Sequence, residues 1–259
     1  MKRAACYALH YGAEYLAWSI RSVQDAVDCI VIAYSAQPTY GHREHGVPCP
    51  ESVEALKTEA FRFSHADKPI FWHEVYGMGS EGAHRDTMHA LAQQVYGADL
   101  HLVVDADEVW PEGAAQATLD AVERENRAGR WLARFTNFWR SFDRVVYDSF
   151  RPVRVIDTRH GRDVDAYLDE TTQPAPVLHF GYAQSERLTR YKIGCHGHKD
   201  EWRPEWFDQT FVPWKPGDRD LHPTVHGLWD EAHLADEATR AQVAAVLGDH
   251  PYAGMEVIR

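Results

Sequence analysis

The sequence lacks any C-x-x-C pair. Its four cysteines, Cys6, Cys29, Cys49 and Cys195, match neither a zinc ribbon nor a disulfide framework. Reduced thiols are the expectation. No apolar run approaches the roughly 18–20 residues that cross a bilayer, so membrane insertion is not expected. The opening stretch MKRAACYALHYGAEY carries two cations but no sustained apolar core. It does not read as a secretory signal, and a cytoplasmic location is expected. Internal repeats and low-complexity segments are missing as well. So is a surplus of positive charge: a net charge of -12 argues against a surface uniformly attractive to nucleic acid.

What is present suits an ordinary globular chain. The 259 residues are 44% hydrophobic and 25% charged. That length allows one large domain, or a core with a sizeable extension. Nine Trp residues supply large planar side chains for a core or for stacking on ligands. The charge is unevenly spread. Residues 124–162 hold ten Arg and no Lys against four acids. This reads either as solvated faces with local ion pairs or as a basic surface for a polyanion.

Hydrophobic patterning gives the organisation. RAACYAL at 3–9, DCIVIAY at 28–34, PIFWHEV at 69–75 and the run at 100–104 read as short apolar strands. Between them lie helical patterns: one from about Ala13 with Leu16, Ile20 and Val23 on a stripe, one from about Glu51, and one over 84–95. YGMGSEG at 76–82 reads as a Gly-rich loop. Such alternation predicts a mostly parallel sheet covered by helices on both faces, with ligands beyond the carboxyl ends of the strands. Residues 1–110 are expected to form this core and 111–259 an extension packed on the same domain. In the second part a helix is expected over 114–127 and strands near 131–135, 145–150 and 153–156. Residues 160–178 read as irregular, and a last helix as running over 236–247.

HLVVDADEVW at 101–110 ends a buried strand in three acids. If the strand conformation continues, Asp105 and Asp107 point to the same side. Two converging carboxylates repel unless a cation lies between them, and hard oxygen ligands select Mg²⁺ or Mn²⁺. The plainer alternative is a surface turn.

Two longer stretches resemble a known family. YLAWSIRSVQDAVDCIVIAYS is similar to the first strand–helix–strand unit of GT-A-fold glycosyltransferases, especially the large family 2 group. GAHRDTMHALAQQVYGADLHLVVDADE resembles that family's segment in which an Arg-Asp or Arg-Asn pair opens a helix leading to the metal-binding D-x-D strand. The resemblance implies a GT-A, Rossmann-like sheet and a nucleotide-diphosphate sugar donor. It implies Mn²⁺ or Mg²⁺ on Asp107, with Asp105 touching ribose or a metal-bound water. It puts Arg85 at the start of a helix on the diphosphate and Asp86 on the donor sugar's hydroxyls. One departure is that the second strand ends in Tyr34-Ser35-Ala36, where many members carry an acid on the nucleobase. Tyr11 and Ser35 complete the expected donor lining.

In the second half, His179 follows an apolar pair at a strand end. It resembles the family's late metal-binding His, with Arg187, Arg190 or Lys192 behind it for the diphosphate. A short helix or lid is expected over 185–192. Cys195, His196, His198, His222 and His226 match no common zinc spacing, and His198 is expected instead as a hydrogen-bond donor in the active site. If transfer inverts the anomeric centre, a carboxylate must take the acceptor's proton. Asp169 and Glu170 in YLDETT, and Asp200 and Glu201 in HKDEW, are the candidates.

The expected acceptor is a hydroxyl of a glycan, a lipid-linked compound or a small molecule. The alternative is a hydroxymethylated base in phage DNA, with Trp139 stacking on an extruded base beside Arg140. Two further readings are a nucleotidyltransferase and a non-catalytic nucleotide-sugar-binding module. The first of these wants a basic Gly-rich loop after the first strand, and HYGAEYL has no Arg or Lys.

Overall fold

The computed structural model describes residues 1–38, 48–125, 129–160, 164–195 and 201–255. The expected alternation is there. Strands β1 (Arg3–Leu9), β2 (Cys29–Tyr34), β3 (Ile70–Glu74) and β4 (Leu100–Val103) pair in parallel, with β1 between β4 and β2 and β3 beside β2. Helices α1 (Ala13–Val23), α2 (Val53–Phe61) and α3 (Glu81–Ala90) connect them. Strand alternation builds the two faces. Ala5, Tyr7, Ile30, Ile32, Leu100 and Leu102 meet α1, α2 and α4 (Ala114–Glu125). Cys6, Val31 and Val103 meet Met88 and Ala92 on the other side. The fold class is therefore mixed α/β, a mostly parallel sheet flanked by helices.

Three strands from the second half extend the same sheet. β9 (Val153–Asp157) runs antiparallel to β4, and β6 (Arg130–Leu132) antiparallel to β9. β10 (Asp165–Tyr167) lies parallel to β6 at the edge, within a stretch whose polarity reads as irregular. A second sheet, not expected from patterning, has the order β12-β8-β7-β11-β5. Its members are β5 (Glu108–Val109), β7 (Phe135–Trp139), β8 (Arg144–Val146), β11 (Val177–Tyr182) and β12 (His233–Leu234). The strand expected near 145–150 falls on β8 and the apolar pair before His179 on β11, but local patterning does not show which sheet a strand joins.

Helix α1 sits between the two sheets. Leu16, Ile20 and Val23 face the first, and Tyr15 and Trp18 face the second with α6 (Glu237–Leu247). A single apolar stripe is thus half of its burial. Ser52, Ser80 and Asp236 cap α2, α3 and α6 by accepting from the backbone amides of Ala55, Ala83 and Thr239. The Ser80 cap starts α3 at Glu81, earlier than the glycines suggest. Arg85 therefore lies one turn inside α3 and not at its N-terminus. α5 (Glu186–Cys195) fills the place expected of a short helix or lid.

His250 locks the C-terminal segment onto α1. Its ring stacks on Tyr15 at 4.7 Å, its Nε2–H donates to the Glu14 carbonyl at 2.8 Å, and its Nδ1 accepts from the Tyr252 amide at 3.1 Å. Burial holds this imidazole neutral and pushes its pKa down to about 4. A His depressed in the fold stabilises fully above its unfolded value of about 6.5 and loses that contribution as pH falls towards the folded value. Urea denaturation of wild type and His250→Phe at pH 8 and pH 4.5 checks this. Wild type is expected to lose on the order of 2 kcal/mol more than the variant across that interval.

Candidate active site

The strand ladder of β4 continues only to Val104, whose amide donates to the Cys6 carbonyl at 3.0 Å. The chain then turns, with the Glu108 amide on the Asp105 carbonyl at 3.0 Å. This turn corrects the expectation of a continuing strand: it sends Asp105 and Glu108 to a shared arginine and Asp107 to other partners. Asp105 faces Arg85 of α3 at 3.1 Å and Arg154 of β9 at 2.7 Å. Glu108 is fully buried and takes Arg154 Nε at 2.8 Å. Asp107 Oδ2 accepts from Lys192 Nζ at 3.0 Å and from Gln184 Nε2 at 2.8 Å. Pairing of β5 with β11 and the Phe180 amide on the Asp107 carbonyl fix the turn from below.

Electrostatics follow the geometry. Burial works against ionising Asp105, but the guanidinium groups of Arg85 and Arg154 outweigh it and hold the carboxyl well below the usual range. At Asp107 burial is likewise outweighed by Lys192 and His179, and the pKa is lowered. Burial pushes the Glu108 carboxyl up, against the pull of Arg154. Asp105 in turn raises Arg85.

His179 stands on β11 with Nε2 3.8 Å from Asp107 Oδ1. Its Nδ1 bonds Asn137 Oδ1 on β7 at 2.7 Å. An amide oxygen only accepts, so Nδ1 carries the proton and the Nε2 lone pair faces the carboxylate. Burial keeps the ring neutral, with its pKa pushed down to about 4. Two lone-pair donors thus confront each other across a gap fit for a cation. Among the described residues no cluster of three or more His, Cys, Asp or Glu converges on a metal site. The protein offers a pair, Asp107 and His179. That suits an ion that keeps waters and takes further ligands from substrate phosphates.

Two glycines permit this packing. Gly12 has φ 126°, and a Cβ there would overlap the Ala106 methyl in the middle of the acid turn. A Cβ on Gly181 would stand 2.6 Å from His179 Nε2 and 2.9 Å from Lys192 Nζ. At the start of α1 the Glu51 carboxylate accepts from the amides of Gly12, at 2.6 Å, and Ala13, at 3.1 Å.

Asp105, Asp107, Arg85, His179, Lys192 and Tyr11 line one cavity of about 240 Å³, at the carboxyl ends of β1 and β4. The other expected residues are distributed differently. Ser35 is buried behind this cavity, its carbonyl bonded to His10 Nδ1 at 2.7 Å. Asp86 is exposed and, with Glu201, borders a neighbouring groove. Asp169 caps a turn, accepting from Thr171 and Thr172, which lowers its pKa to about 2. Glu170 is 89% exposed near Arg134. Neither borders the cavity or the groove. Trp139 is fully buried among Tyr182, Trp206, Phe211, Trp214 and Trp229, which leaves no ring face open for stacking. Arg140 is buried on the carbonyls of Phe211 and Val212. His198 and Asp200 lie outside the described residues, as does His196. Arg154, Gln184 and Asn137 are site residues that sequence reading does not single out. Only Arg154 has a signal, as one member of the Arg-dense stretch.

No protein-family model matches the chain, and no curated protein matches it. Solved structures overlap it distantly. A 4-diphosphocytidyl-2C-methyl-D-erythritol synthase from Anaerococcus prevotii is 10% identical, with a TM-score of 0.39 over 74% of this chain and 97% of its own. A UDP-glucose pyrophosphorylase bound to UDP-glucose is 8% identical, with a TM-score of 0.34 over 69% and 74%. Mouse xyloside xylosyltransferase 1 is 10% identical, with a TM-score of 0.34 over 92% and 97%. At such distances the chemistry rests on the residues of the cavity.

Arg154 balances two carboxylates from inside the protein. Arg154→Ala is expected to cost about 3–5 kcal/mol in urea denaturation, because buried Glu108 loses its hydrogen-bond partner and Asp105 loses one of its two guanidinium groups. Arg154→Met combined with Glu108→Gln should recover most of that loss. A single variant as stable as wild type would show that the pair carries no such constraint.

Proposed function

We propose that the protein is a metal-dependent glycosyltransferase of the GT-A type. It would move a sugar from a nucleotide diphosphate to a hydroxyl acceptor. The observation that carries this reading is the facing pair of Asp107 Oδ1 and His179 Nε2, 3.8 Å apart, with Lys192 and Arg85 beside it. Mg²⁺ or Mn²⁺ bound there would supply positive charge to a leaving diphosphate. Asn137 holds the His179 tautomer that presents Nε2. Gln184 and Lys192 hold the other oxygen of Asp107. Lys192, buried and also bonded to the Gly181 carbonyl, would be a fixed cation next to the phosphates. Arg85, with Arg154, keeps Asp105 ionised at the ribose side. In the reaction the bond from the anomeric carbon to the diphosphate oxygen breaks with its electron pair on that oxygen. The acceptor oxygen forms the new bond and gives up its proton. Glu201 borders the adjoining groove and is a candidate base for that proton, and Asp200 beside it lies outside the described residues.

Glu51 disfavours the nucleotidyltransferase reading. Its carboxylate already occupies the first amides of α1, where a basic phosphate-binding loop would act. The DNA-acceptor reading loses support, because several described arginines of the dense stretch are engaged within the chain. Arg130 pairs with Asp165, Arg159 with Asp157 and Arg154 with Glu108, and Arg140 is buried.

Thermal melting with UDP-, GDP- and CDP-sugars, each with and without Mn²⁺, tests the reading. A stabilisation that requires both the metal and one nucleotide is expected. No shift under any condition rejects it in favour of a different ligand class. Asp107→Ala should lower metal-dependent turnover about a hundredfold or more with the fold intact. Asn137→Ala should weaken Mn²⁺ binding about tenfold in calorimetry, since it orients the ligand without touching the ion. Unchanged affinity would make Asn137 purely structural.

A further inference from the structure

The cavity opens, across Arg85, Asp105, His179 and Tyr182, into a groove of about 740 Å³. On the reading above, this groove is where an acceptor must approach. Its charge lining selects among acceptor classes. Among the described residues, six carboxylates and three arginines line it, and no lysine. Each of the three arginines is already in an ion pair: Arg85 with Asp105, Arg130 with Asp165, and Arg154 with Glu108. Six carboxylates against three paired arginines leave the described lining net negative, which disfavours phosphate, sulfate or carboxylate groups on a ligand.

The walls are aromatic. Phe150 is 70% exposed, and Tyr182 and Trp202 are partly so. Phe150 is held in place by Asp148. One Asp148 oxygen accepts from the Phe150 amide at 2.8 Å and the other from Trp229 Nε1 at 3.1 Å. The Trp229 edge in turn packs on Tyr182, with ring centroids 4.9 Å apart. Ring faces match the apolar C–H faces of a pyranose, and carboxylates accept from its hydroxyls or from an amine. A polyanion meets the reverse of what it needs, because a nucleic acid is held mainly by cations on its phosphates.

We infer that the acceptor is a carbohydrate that is uncharged or carries an amine, seated against Phe150, and is not a polyanion. Asp148 is then a positioning residue, and Phe150 touches the acceptor.

Saturation-transfer NMR tests this on the full chain. The probes are neutral methyl hexosides, methyl glucosaminide, methyl glucuronide and a short single-stranded DNA. Transfer to the neutral and amino glycosides is expected, with none to the glucuronide or the DNA. Phe150→Ala should weaken glycoside binding about fivefold, since an exposed ring contributes little to the fold. Preference for glucuronide or DNA, no transfer to any glycoside, or an unchanged affinity in Phe150→Ala would each overturn the inference. Thermal shifts with UDP and Mn²⁺ on the same samples keep the two readings apart. UDP binding without glycoside binding rejects only the groove assignment. Glycoside binding without UDP binding rejects the donor reading and leaves the groove a carbohydrate site.

Discussion

Three carboxylates taken out of water within four residues must be neutralised where they stand. That requirement shapes the whole C-terminal edge of the sheet. Isolated buried charge is prohibitively costly, and each carboxylate here meets its cation through a different element. Arg85 comes from α3, Arg154 from β9 and Lys192 from α5. The acid turn therefore ties together a helix of the first half, a strand that extends the first sheet and a helix that follows the second. Its charges are balanced in two sets. Asp105 and Glu108 are spent on arginines, whereas Asp107 keeps one oxygen turned to the neutral His179.

That division suits the proposed chemistry. A group used to hold the fold together should not also have to release its partner when substrate arrives. Asp105 and Glu108 form a closed network with Arg154 in which every charge is answered inside the protein. Asp107 Oδ1 and His179 Nε2 face the cavity with lone pairs turned towards each other. The same turn supplies a rigid support and a responsive site.

The parallel core was legible because strands buried on both faces appear as unbroken apolar runs, and β1, β2 and β4 have that form. The acids stood out because they end an apolar run, and His179 stood out as a polar residue after an apolar pair, although it lies within β11 and not beyond it. Arg85 was found by its residue type, but its helix began a turn earlier than the glycines implied. The second sheet stayed hidden, since a local run marks a strand, as at β8 and β11, but not the sheet it joins. Arg154, Asn137 and Gln184 stayed hidden for another reason. Each gains its role from a partner far away in sequence, and local patterning carries no trace of that. Trp139 went the other way: its aromatic character was equally suited to a ligand or to a core, and the core took it.

The contact between Gly12 and Ala106 sets the room for variation in this turn. The backbone of α1's entry lies against the middle residue of Asp-Ala-Asp, and Gly12 has no side chain left to remove. Any chain that builds this acid turn on this sheet is confined to glycine at the entry to α1. That position is a mark by which distant relatives of this geometry can be sought.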